Sequence, residues 1–252
     1  MPAVNDLRMR PNNIFLTFFL LIFLGPTGLQ AQDADAVIKK YVDFIGGRKN
    51  WEKVKTLKTS GEYNYGGIKF PFTAYAKKPN VYKFIVPFQG KYYAQAFDGK
   101  QGWKIDAFKN ETSPTFLTGK QALQMANEAD VELEDALIDY KAKGHQATLE
   151  GSDMIDGKNC IKVKFTRANG DIETYYFDER TSALIMKTAL SKNAELQGTV
   201  LNTSYSDYRS VKGIKIPFRT VSTSNDQLVL EISVETAEIN VPMDDREFQP
   251  GN

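Results

Sequence analysis

The residues best suited to chemistry in this chain of 252 residues are its clustered carboxylates. Glu132, Glu134, Asp135 and Asp139 lie within one short stretch, and Asp244–Asp245 lie near the end. Paired carboxylates can hydrolyse glycosides when they are held roughly 5 to 10 Å apart across the bond. Sequence spacing does not establish that separation, and such a charged run is more often a solvated helix face. A carboxylate-based hydrolase is therefore the least favoured of the functions considered.

The single cysteine and the single histidine do not form a reactive site in the sequence. Cys160 precedes the alternating apolar residues Ile161, Val163 and Phe165, so we expect a buried core thiol rather than a nucleophile. His145 has no second histidine or cysteine partner nearby for zinc and no recognisable triad. We accordingly predict a protein that is not an enzyme and has no catalytic residue, metal ion or cofactor.

The first 31 residues have the pattern of an export signal. Arg8 and Arg10 precede an apolar run from Ile14 to Leu24, and Gly25–Pro26 breaks this run before Ala31. Eleven residues are too few for a membrane-spanning helix, which takes about 20. The pattern predicts a signal peptide over residues 1–31 that is removed after export.

The rest of the chain, residues 32–252, is expected to be one domain without an integral membrane segment. Gln32, and not a cysteine, follows the predicted cleavage position, so no lipid anchor is expected there and the protein should be soluble in the periplasm. Removing Arg8, Arg10 and Asp6 from 32 basic and 31 acidic residues leaves 30 of each. Nucleic acids are bound mainly through clustered cations, so a nucleic-acid partner is not expected. We also expect the protein to be a monomer.

One amphipathic helix precedes a region of alternating residues. Asp33 can cap this helix and Gly46–Gly47 can end it. Its apolar residues recur at helical spacing at Ala34, Val37, Ile38, Tyr41 and Ile45. From Val54 onward the period changes to two, which is typical of strands with one wet face. The turn signals between them, of which Asn169–Gly170 suits a two-residue type I′ hairpin, indicate a meander of about ten antiparallel strands.

The alternation is interrupted between Phe116 and Gly144. Two short helical patterns lie in this interval, within residues 121–140, and they favour helices laid over one side of a strongly curved antiparallel sheet. The predicted fold class is therefore α+β. The helices either fill the concave side or cover a space that a ligand can occupy.

Aromatic residues are concentrated in the first hairpins of the predicted sheet. A filled core and the lining of a cavity for a lipid-like ligand both explain such a face, and the sequence leaves both open. Each buried methylene group contributes about 0.8 kcal/mol, so an acyl chain gains much by entering a cavity. For the cavity we select Tyr82, Phe84, Phe97 and Trp103 in the hairpins, with Met125 and Leu137 on the cover.

Five stretches are distributed across the predicted mature chain: YVDFIGG (41–47), QAFDGKQGW (95–103), IDYKAKGH (138–145), SDYRSVKGIKIPF (206–218) and INVPMDDREF (239–248). Together they resemble bacterial exported proteins described as outer-membrane lipoprotein-sorting-like, which are related to the LolA/LolB lipoprotein carriers. The resemblance implies an unclosed β-barrel around a hydrophobic cavity, with helices as a lid. It also implies a periplasmic carrier.

The resemblance implies a soluble carrier or chaperone that binds the acyl chains of lipoproteins or lipids for sorting to the outer membrane. Its partners would be an acylated lipoprotein or lipid and an outer-membrane receptor, and the protein could be peripheral at that membrane. The alternative is an envelope interaction or assembly factor of the same fold with a filled core. The lining and volume of the space between sheet and helices distinguish the two.

Overall fold

Helix α1 (Ala34–Phe44) is the first element of the computed structural model, which describes residues 33–119, 121–122, 124–126, 129, 136–191 and 198–250. Residues 1–31, the predicted signal peptide, lie outside these ranges. The Asp33 carboxylate accepts a hydrogen bond from the Asp35 N–H, as expected of a cap. The predicted helix and its start are thus confirmed. Helix α2 (Arg48–Trp51) follows, and no helix in the described ranges is long and apolar enough to cross a membrane.

The described residues contain one antiparallel sheet of 13 strands, three more than the approximate count predicted. The strands are β1 (Thr56–Tyr65), β2 (Ile68–Lys77), β3 (Val81–Phe88), β4 (Lys91–Phe97), β5 (Gly102–Asp106), β6 (Glu111–Phe116), β7 (Gln146–Ile155), β8 (Lys158–Thr166), β9 (Ile172–Asp178), β10 (Leu184–Leu190), β11 (Val200–Val211), β12 (Ile214–Ser224) and β13 (Gln227–Ile239). Short 3-10 helices follow β5 (Ala107–Lys109) and β13 (Asp245–Phe248). The α+β class and the unclosed antiparallel sheet are confirmed.

The order of strands places the first and the last strand next to each other in the middle of the sheet. The order is β6-β5-β4-β3-β2-β1-β13-β12-β11-β10-β9-β8-β7, so β1 pairs with β13 and the edges are β6 and β7. Every other pairing joins consecutive strands. Side chains from β1 to β3 and from β9 to β13 line one common cavity, which requires the sheet to curve around it. We call the face toward this cavity the concave face and the other the convex face.

The crossing segment, residues 117–145, connects the two edge strands. Its described positions between 119 and 129 are helical, whereas residues 136–144 form consecutive turns where the sequence pattern predicted a second short helix. These turns are anchored to the first helices. Asp139 accepts a hydrogen bond of 2.7 Å from the Arg48 guanidinium, and Asp35 of α1 contacts both Tyr140 and Lys141.

Two apolar clusters on the concave face hold these helices against the sheet. The first joins α1 and Leu137 to strands on both sides of the β1–β13 pair, with Phe165, Phe177 and Ile214 almost fully buried. The second joins Met125 of the crossing segment to β2, β3 and β4. The concave face is therefore occupied at one end by α1 and along one side by the crossing segment.

A third cluster lies on the convex face. Trp103 and Ile105 of β5 pack there with Ala94 and Ala96 of β4. The 3-10 helix Asp245–Phe248 covers them, because the Trp103 indole N–H donates a 2.8 Å hydrogen bond to the Phe248 carbonyl oxygen. Part of the convex face is consequently buried, as parts of the concave face are.

Candidate functional site

A cavity of about 620 Å³ lies between the concave face, helices α1 and α2, and the crossing segment. Its volume is within the range of roughly 300 to 1,000 Å³ that small-molecule sites occupy. Tyr41 of α1, Ile45 directly after α1 and Trp51 of α2 close one end of it. Gln124 and Ala136 of the crossing segment line the cavity on the side away from the sheet. The described residues therefore leave the concave side only partly filled.

One wall of the cavity is apolar and is formed by β13, β1, β2 and β3. Tyr63 of β1 lies opposite Ile232 of β13, and Ala74 of β2 lies opposite Phe84 of β3, so these side chains share the concave face. The Phe84 ring is 5.4 Å from the Tyr63 ring and 5.6 Å from the Phe72 ring. Burial, with a smaller effect from Tyr65, raises the pKa of Tyr63 to about 12. This wall suits a hydrocarbon chain.

The opposite wall is formed by β10, β11 and β12 and carries polar side chains among apolar ones such as Leu184, Leu201 and Ile216. Lys187, Thr203 and Ser222 are cross-strand partners in one row, and the Thr203 and Ser222 hydroxyl oxygens are 2.9 Å apart. The same row continues through Leu230 of β13 to Tyr65 of β1. All five line the cavity. The wall from β10 to β12 is therefore more polar than the wall from β13 to β3.

A buried group of charges lies at the same side of the cavity as β10. The Arg167 guanidinium is 3.0 Å from the Glu173 carboxylate, and the Lys187 ammonium is 3.7 Å from its other oxygen. The Tyr175 hydroxyl donates a 2.7 Å hydrogen bond to Glu173. Arg167, Glu173, Lys187 and Tyr175 all line the cavity. We call these four residues the charge cluster.

The charges of the cluster are maintained by one another. Burial alone would raise the pKa of Glu173, but the nearby Lys187 and Arg167 cations and the Tyr175 hydroxyl lower it. Burial alone would lower the pKa of Arg167, but Tyr175 and Glu173 raise it. Burial and Glu173 together raise the pKa of Tyr175 well above its ordinary value. Glu173 is accordingly ionised and Tyr175 neutral at neutral pH.

The β8–β9 loop positions Arg167. The Arg167 N–H donates to the Asp171 carbonyl oxygen at 2.8 Å, and its own carbonyl oxygen accepts from the Gly170 N–H at 2.9 Å. Gly170 has a φ of 88°, but Asn169 is not among the residues with positive φ, so the predicted type I′ turn was wrong. A longer loop that contains a left-handed glycine replaces it, and the Arg167 guanidinium carbon lies 5.9 Å from the centre of the Phe165 ring.

The six residues predicted to line a cavity lie in four places. Tyr82 and Phe84 line it. Phe97 and Met125 are buried in the same apolar cluster but are not among the lining residues, and Leu137 is buried in the cluster around α1.

Trp103 requires a correction, because its side chain lies on the convex face under the 3-10 helix Asp245–Phe248. In the short strand β5, four of five residues are buried, so the apolar pattern does not show which face is which. The other tryptophan, Trp51, lines the cavity instead. Gly102 is the cross-strand partner of Phe97, which belongs to a cluster on the concave face. Trp103, the next residue, pairs with Ala96 and therefore lies on the convex face.

The sequence analysis did not identify the charge cluster. A signal for it exists in β9, because Glu173 occupies the same side of the strand as Tyr175 and Phe177, where a charge is unexpected. Its partners could not be found this way, since Arg167 lies in a loop and Lys187 on the next strand. The register of β9 and β10 brings Lys187 to Glu173, and the β8–β9 loop brings Arg167.

The groups considered for catalysis have structural contacts instead. Cys160 is fully buried, which raises the pKa of its thiol, and the His145 Nδ1 accepts a 3.0 Å hydrogen bond from the Ala168 N–H. Asp244 caps the 3-10 helix that follows it. Glu132, Glu134 and Asp135 lie outside the described residues. Within those residues no group of three or more metal-binding side chains occurs.

No family model and no curated protein matches the chain in sequence. Solved structures are similar in fold. A DUF1329 family protein from Desulfovibrio piger has a TM-score of 0.59 at 14% identity, with 86% of this chain and 97% of that chain covered. A LolA superfamily protein from Nitrosomonas europaea has a TM-score of 0.55 at 11% identity, with 86% and 97% covered.

A third similar structure is an outer membrane lipoprotein-sorting protein domain from Vibrio parahaemolyticus. Its TM-score is 0.56 at 7% identity, and the similarity covers 85% of this chain and 95% of that chain. The shared coverage extends over most of each chain, so the likeness is to the whole fold and not to one motif. The resemblance to LolA-like proteins is confirmed at the level of the fold.

Proposed function

We propose that this protein of LolA-like fold is a soluble periplasmic carrier or chaperone, not an enzyme, that binds acyl chains of lipoproteins or lipids for sorting to the outer membrane. The observation that carries the proposal is the cavity of about 620 Å³ on the concave face, with an apolar wall from β13 to β3. A filled core would leave no such space. Burial of apolar surface supplies the driving force, at about 25 cal/mol for each Å² removed from water.

The rim of the cavity supports exchange of a ligand with a membrane or a partner. At the end of the sheet where β2, β11 and β13 begin, Ile68, Leu190, Val200 and Leu228 are exposed by 40% or more. Leu190 also lines the cavity, so exposed and enclosed apolar surfaces are continuous. Exposed apolar patches commonly mark interaction sites. A ligand entering here would not have to cross a fully polar surface.

We propose for the chain the organisation that the sequence predicts. Residues 1–31 act as a cleaved signal peptide, and residues 32–252 form the single carrier domain. The carrier acts as a monomer and passes its cargo to an outer-membrane receptor. Export into an aqueous compartment makes a shielded apolar site useful, because a free acyl chain would otherwise remain in contact with water.

Native mass spectrometry of the protein purified from the bacterial envelope tests this function. The wild type should retain an acylated molecule. Ala74→Trp should lose it, because Ala74 lies on the cavity wall between Thr59 and Phe84 and an indole there would fill the space. Thr174→Trp is the matched control, since Thr174 alternates with Glu173 and Tyr175 and therefore lies on the convex face.

Two results would overturn the proposal. The first is that the wild type carries no lipid and also fails to bind the neutral apolar probe N-phenyl-1-naphthylamine. This result would favour the alternative function, an envelope interaction or assembly factor with a filled core. The other is an Ala74→Trp variant that folds, by circular dichroism, and still retains lipid as the wild type does. Binding of the probe to the wild type gives an answer even if the variant does not fold.

A further inference from the structure

The exposed apolar side chains of the described residues are concentrated at one end of the sheet. Ten large apolar side chains are exposed, and eight of them lie at the end where β2, β4, β9, β11 and β13 begin. We call this the mouth end. Phe116 and Met154 are the two at the opposite end. Single exposed apolar residues are normal on a protein surface, but their concentration at one end indicates a contact surface.

Five of the eight, which we call the rim, lie on nearly consecutive strands: Tyr65, Ile68, Leu190, Val200 and Leu228. The sheet order β2-β1-β13-β12-β11-β10 brings the ends of their strands together. Tyr65 and Leu190 also line the cavity, although they are 41% and 62% exposed. Tyr41, Ile45 and Trp51, which close the other end of the cavity, are almost fully buried. The cavity therefore opens at the mouth end, beside the rim.

The turns at the mouth end carry little charge. The β1–β2 turn is Gly66–Gly67, the β3–β4 turn is Gln89–Gly90, and Asp226 is the single charge of the β12–β13 turn. Arg167 and Lys109, in longer connections at this end, are paired with carboxylates of the protein. A bilayer can accept such a surface, because apolar and uncharged side chains enter it without the cost of dehydrating an ion.

The opposite end of the sheet has the reverse character. Each strand connection there contains at least one charged residue, in the ranges 78–80, 98–101, 156–157, 179–183 and 212–213. Contact of this end with hydrocarbon would take these ions out of water, which is costly. One end of the sheet therefore suits a bilayer and the other suits water.

We propose that the mouth end docks reversibly on a lipid bilayer, with the rim in the interfacial layer, so that an acyl chain passes between bilayer and cavity without crossing water. This inference rests on the proposed carrier function and names the lipid bilayer as the partner of the rim. Tyrosine among aliphatic side chains is typical of contact with a membrane interface. Since five side chains offer only a small apolar area, the docking is weak enough to be released.

A bilayer is favoured over a protein as the partner of the rim. Protein interfaces are usually surrounded by polar and charged groups that fix the orientation of the partners, and the turns beside the rim offer few of them. The rim also surrounds the opening of a cavity with an apolar wall. A bilayer supplies hydrocarbon chains directly at that opening, whereas a protein would need an apolar channel of its own.

Flotation of the mature chain with phosphatidylcholine vesicles tests the inference. The wild type should float with the vesicles. Ile68→Asp with Leu228→Asp should reduce the partition coefficient at least about tenfold, because each aspartate would lose water at the interface. Neither residue lines the cavity, so binding of N-phenyl-1-naphthylamine in solution should be unchanged. Phe116→Asp with Met154→Asp is the matched control, since it adds the same charges at the opposite end, and it should float as the wild type does.

A fluorescent label locates the contact by a second route. Cys160 is the only cysteine, so Ile68→Cys or Met154→Cys in a Cys160→Ala background gives one labelling position each. The emission of a nitrobenzoxadiazole label at position 68 should shift to the blue when phosphatidylcholine vesicles are added, because the label enters a less polar layer. The emission of the label at position 154 should not shift. The opposite pattern would overturn docking by the mouth end.

The possible failures are distinguishable. A wild type that binds the probe but does not float with vesicles overturns bilayer docking and leaves the carrier function intact. Absence of both bound lipid and probe binding overturns the carrier function itself. Flotation of Ile68→Asp with Leu228→Asp as strong as that of the wild type overturns the assignment to the rim.

Two further results would assign the rim to another partner and so overturn the proposal. One is binding to outer membranes but not to vesicles of their extracted lipids, which would indicate a protein. The other is a dimer in analytical ultracentrifugation that dissociates in Ile68→Asp with Leu228→Asp, which would indicate a second copy of this chain. Flotation of the wild type and the label at position 68 give their answers even if the aspartate variant does not fold.

Discussion

Arg167 and Glu173 form an ion pair within the cavity wall, with 3.0 Å between Nη2 and Oε2 and both side chains more than nine-tenths buried. The pair joins the β8–β9 loop to the first residues of β9. Each ion loses hydration on burial, and the partner together with the Tyr175 hydroxyl group offsets that loss. Removing one member therefore leaves an uncompensated charge in a site with little water.

Glu173→Gln should reduce the free energy of unfolding by about 3 to 5 kcal/mol, because Arg167 would remain buried without its carboxylate. Denaturant unfolding followed by circular dichroism measures the change. Asp43→Asn is the control, because it removes an ion pair with Lys39 whose side chains are 62% and 76% exposed. This control should cost less than about 1 kcal/mol. Similar small losses in both variants would contradict a stabilising role for the buried pair.

The stability contributed by Glu173 should depend on pH. Its pKa in the folded protein is lowered from the ordinary 4.5, so its contribution is complete above pH 4.5 and is lost as the pH falls through the folded value. The gap in unfolding free energy between wild type and Glu173→Gln should therefore narrow with acidification. Denaturant unfolding between about pH 6 and pH 2 measures it. A gap that stays constant over that range would show that the carboxylate charge is not responsible.

The two tryptophans should report differently on a ligand. Trp51 lines the cavity, whereas Trp103 is buried on the convex face and donates to Phe248. Binding of laurate should change the emission of Trp103→Phe protein as it changes that of the wild type. The change should disappear in Trp51→Phe. The reverse pattern would place the ligand on the wrong side of the sheet for the proposed function.

The turn after α1 should tolerate a side chain at one glycine better than at its neighbour. A Cβ atom at Gly46 would lie 2.3 Å from the Gly213 carbonyl oxygen, whereas one at Gly47 would meet nothing within 4 Å. Both have positive φ, 110° and 80°. Gly47→Ala should therefore cost only backbone strain of about 1 to 3 kcal/mol, and Gly46→Ala more than that. Thermal unfolding measures both, and equal losses would exclude close packing of α1 against β12 as the cause.

Movement of the crossing segment can be tested with a disulfide. A Cβ atom at Gly102 of β5 would lie 3.4 Å from the Met125 Cβ, close to the 3.5 to 4.5 Å usual for disulfides. Gly102→Cys with Met125→Cys, in a Cys160→Ala background, should therefore crosslink the segment to the sheet. If the segment opens to admit a ligand, the disulfide should slow the uptake of N-phenyl-1-naphthylamine. We expect the oxidised protein to bind the probe at least about tenfold more slowly than the same protein after reduction. Equal rates in stopped-flow fluorescence would show that the segment is not a gate.

Local patterns were sufficient for much of the fold. The spacing of Ala34, Val37, Ile38 and Tyr41 predicted a helix with one buried face, and those four residues are buried. Alternation predicted the antiparallel strands, because in a sheet successive side chains point to opposite faces. Strand β6 was harder to detect, since it is an edge strand with almost every residue exposed and no alternation. The buried thiol of Cys160 also followed from its apolar neighbours.

Only the tertiary structure decided which buried residues belong to the site. Trp103 and Phe84 both looked like apolar strand residues, but the C-terminal 3-10 helix covers one and the cavity lies beside the other. Glu173 acquired its partners through register, with Lys187 on the neighbouring strand. Whether a concave face is filled depends on the summed volumes of side chains from strands far apart in sequence. No period of two or of 3.6 residues encodes that sum, because each describes a single element and not the space between elements.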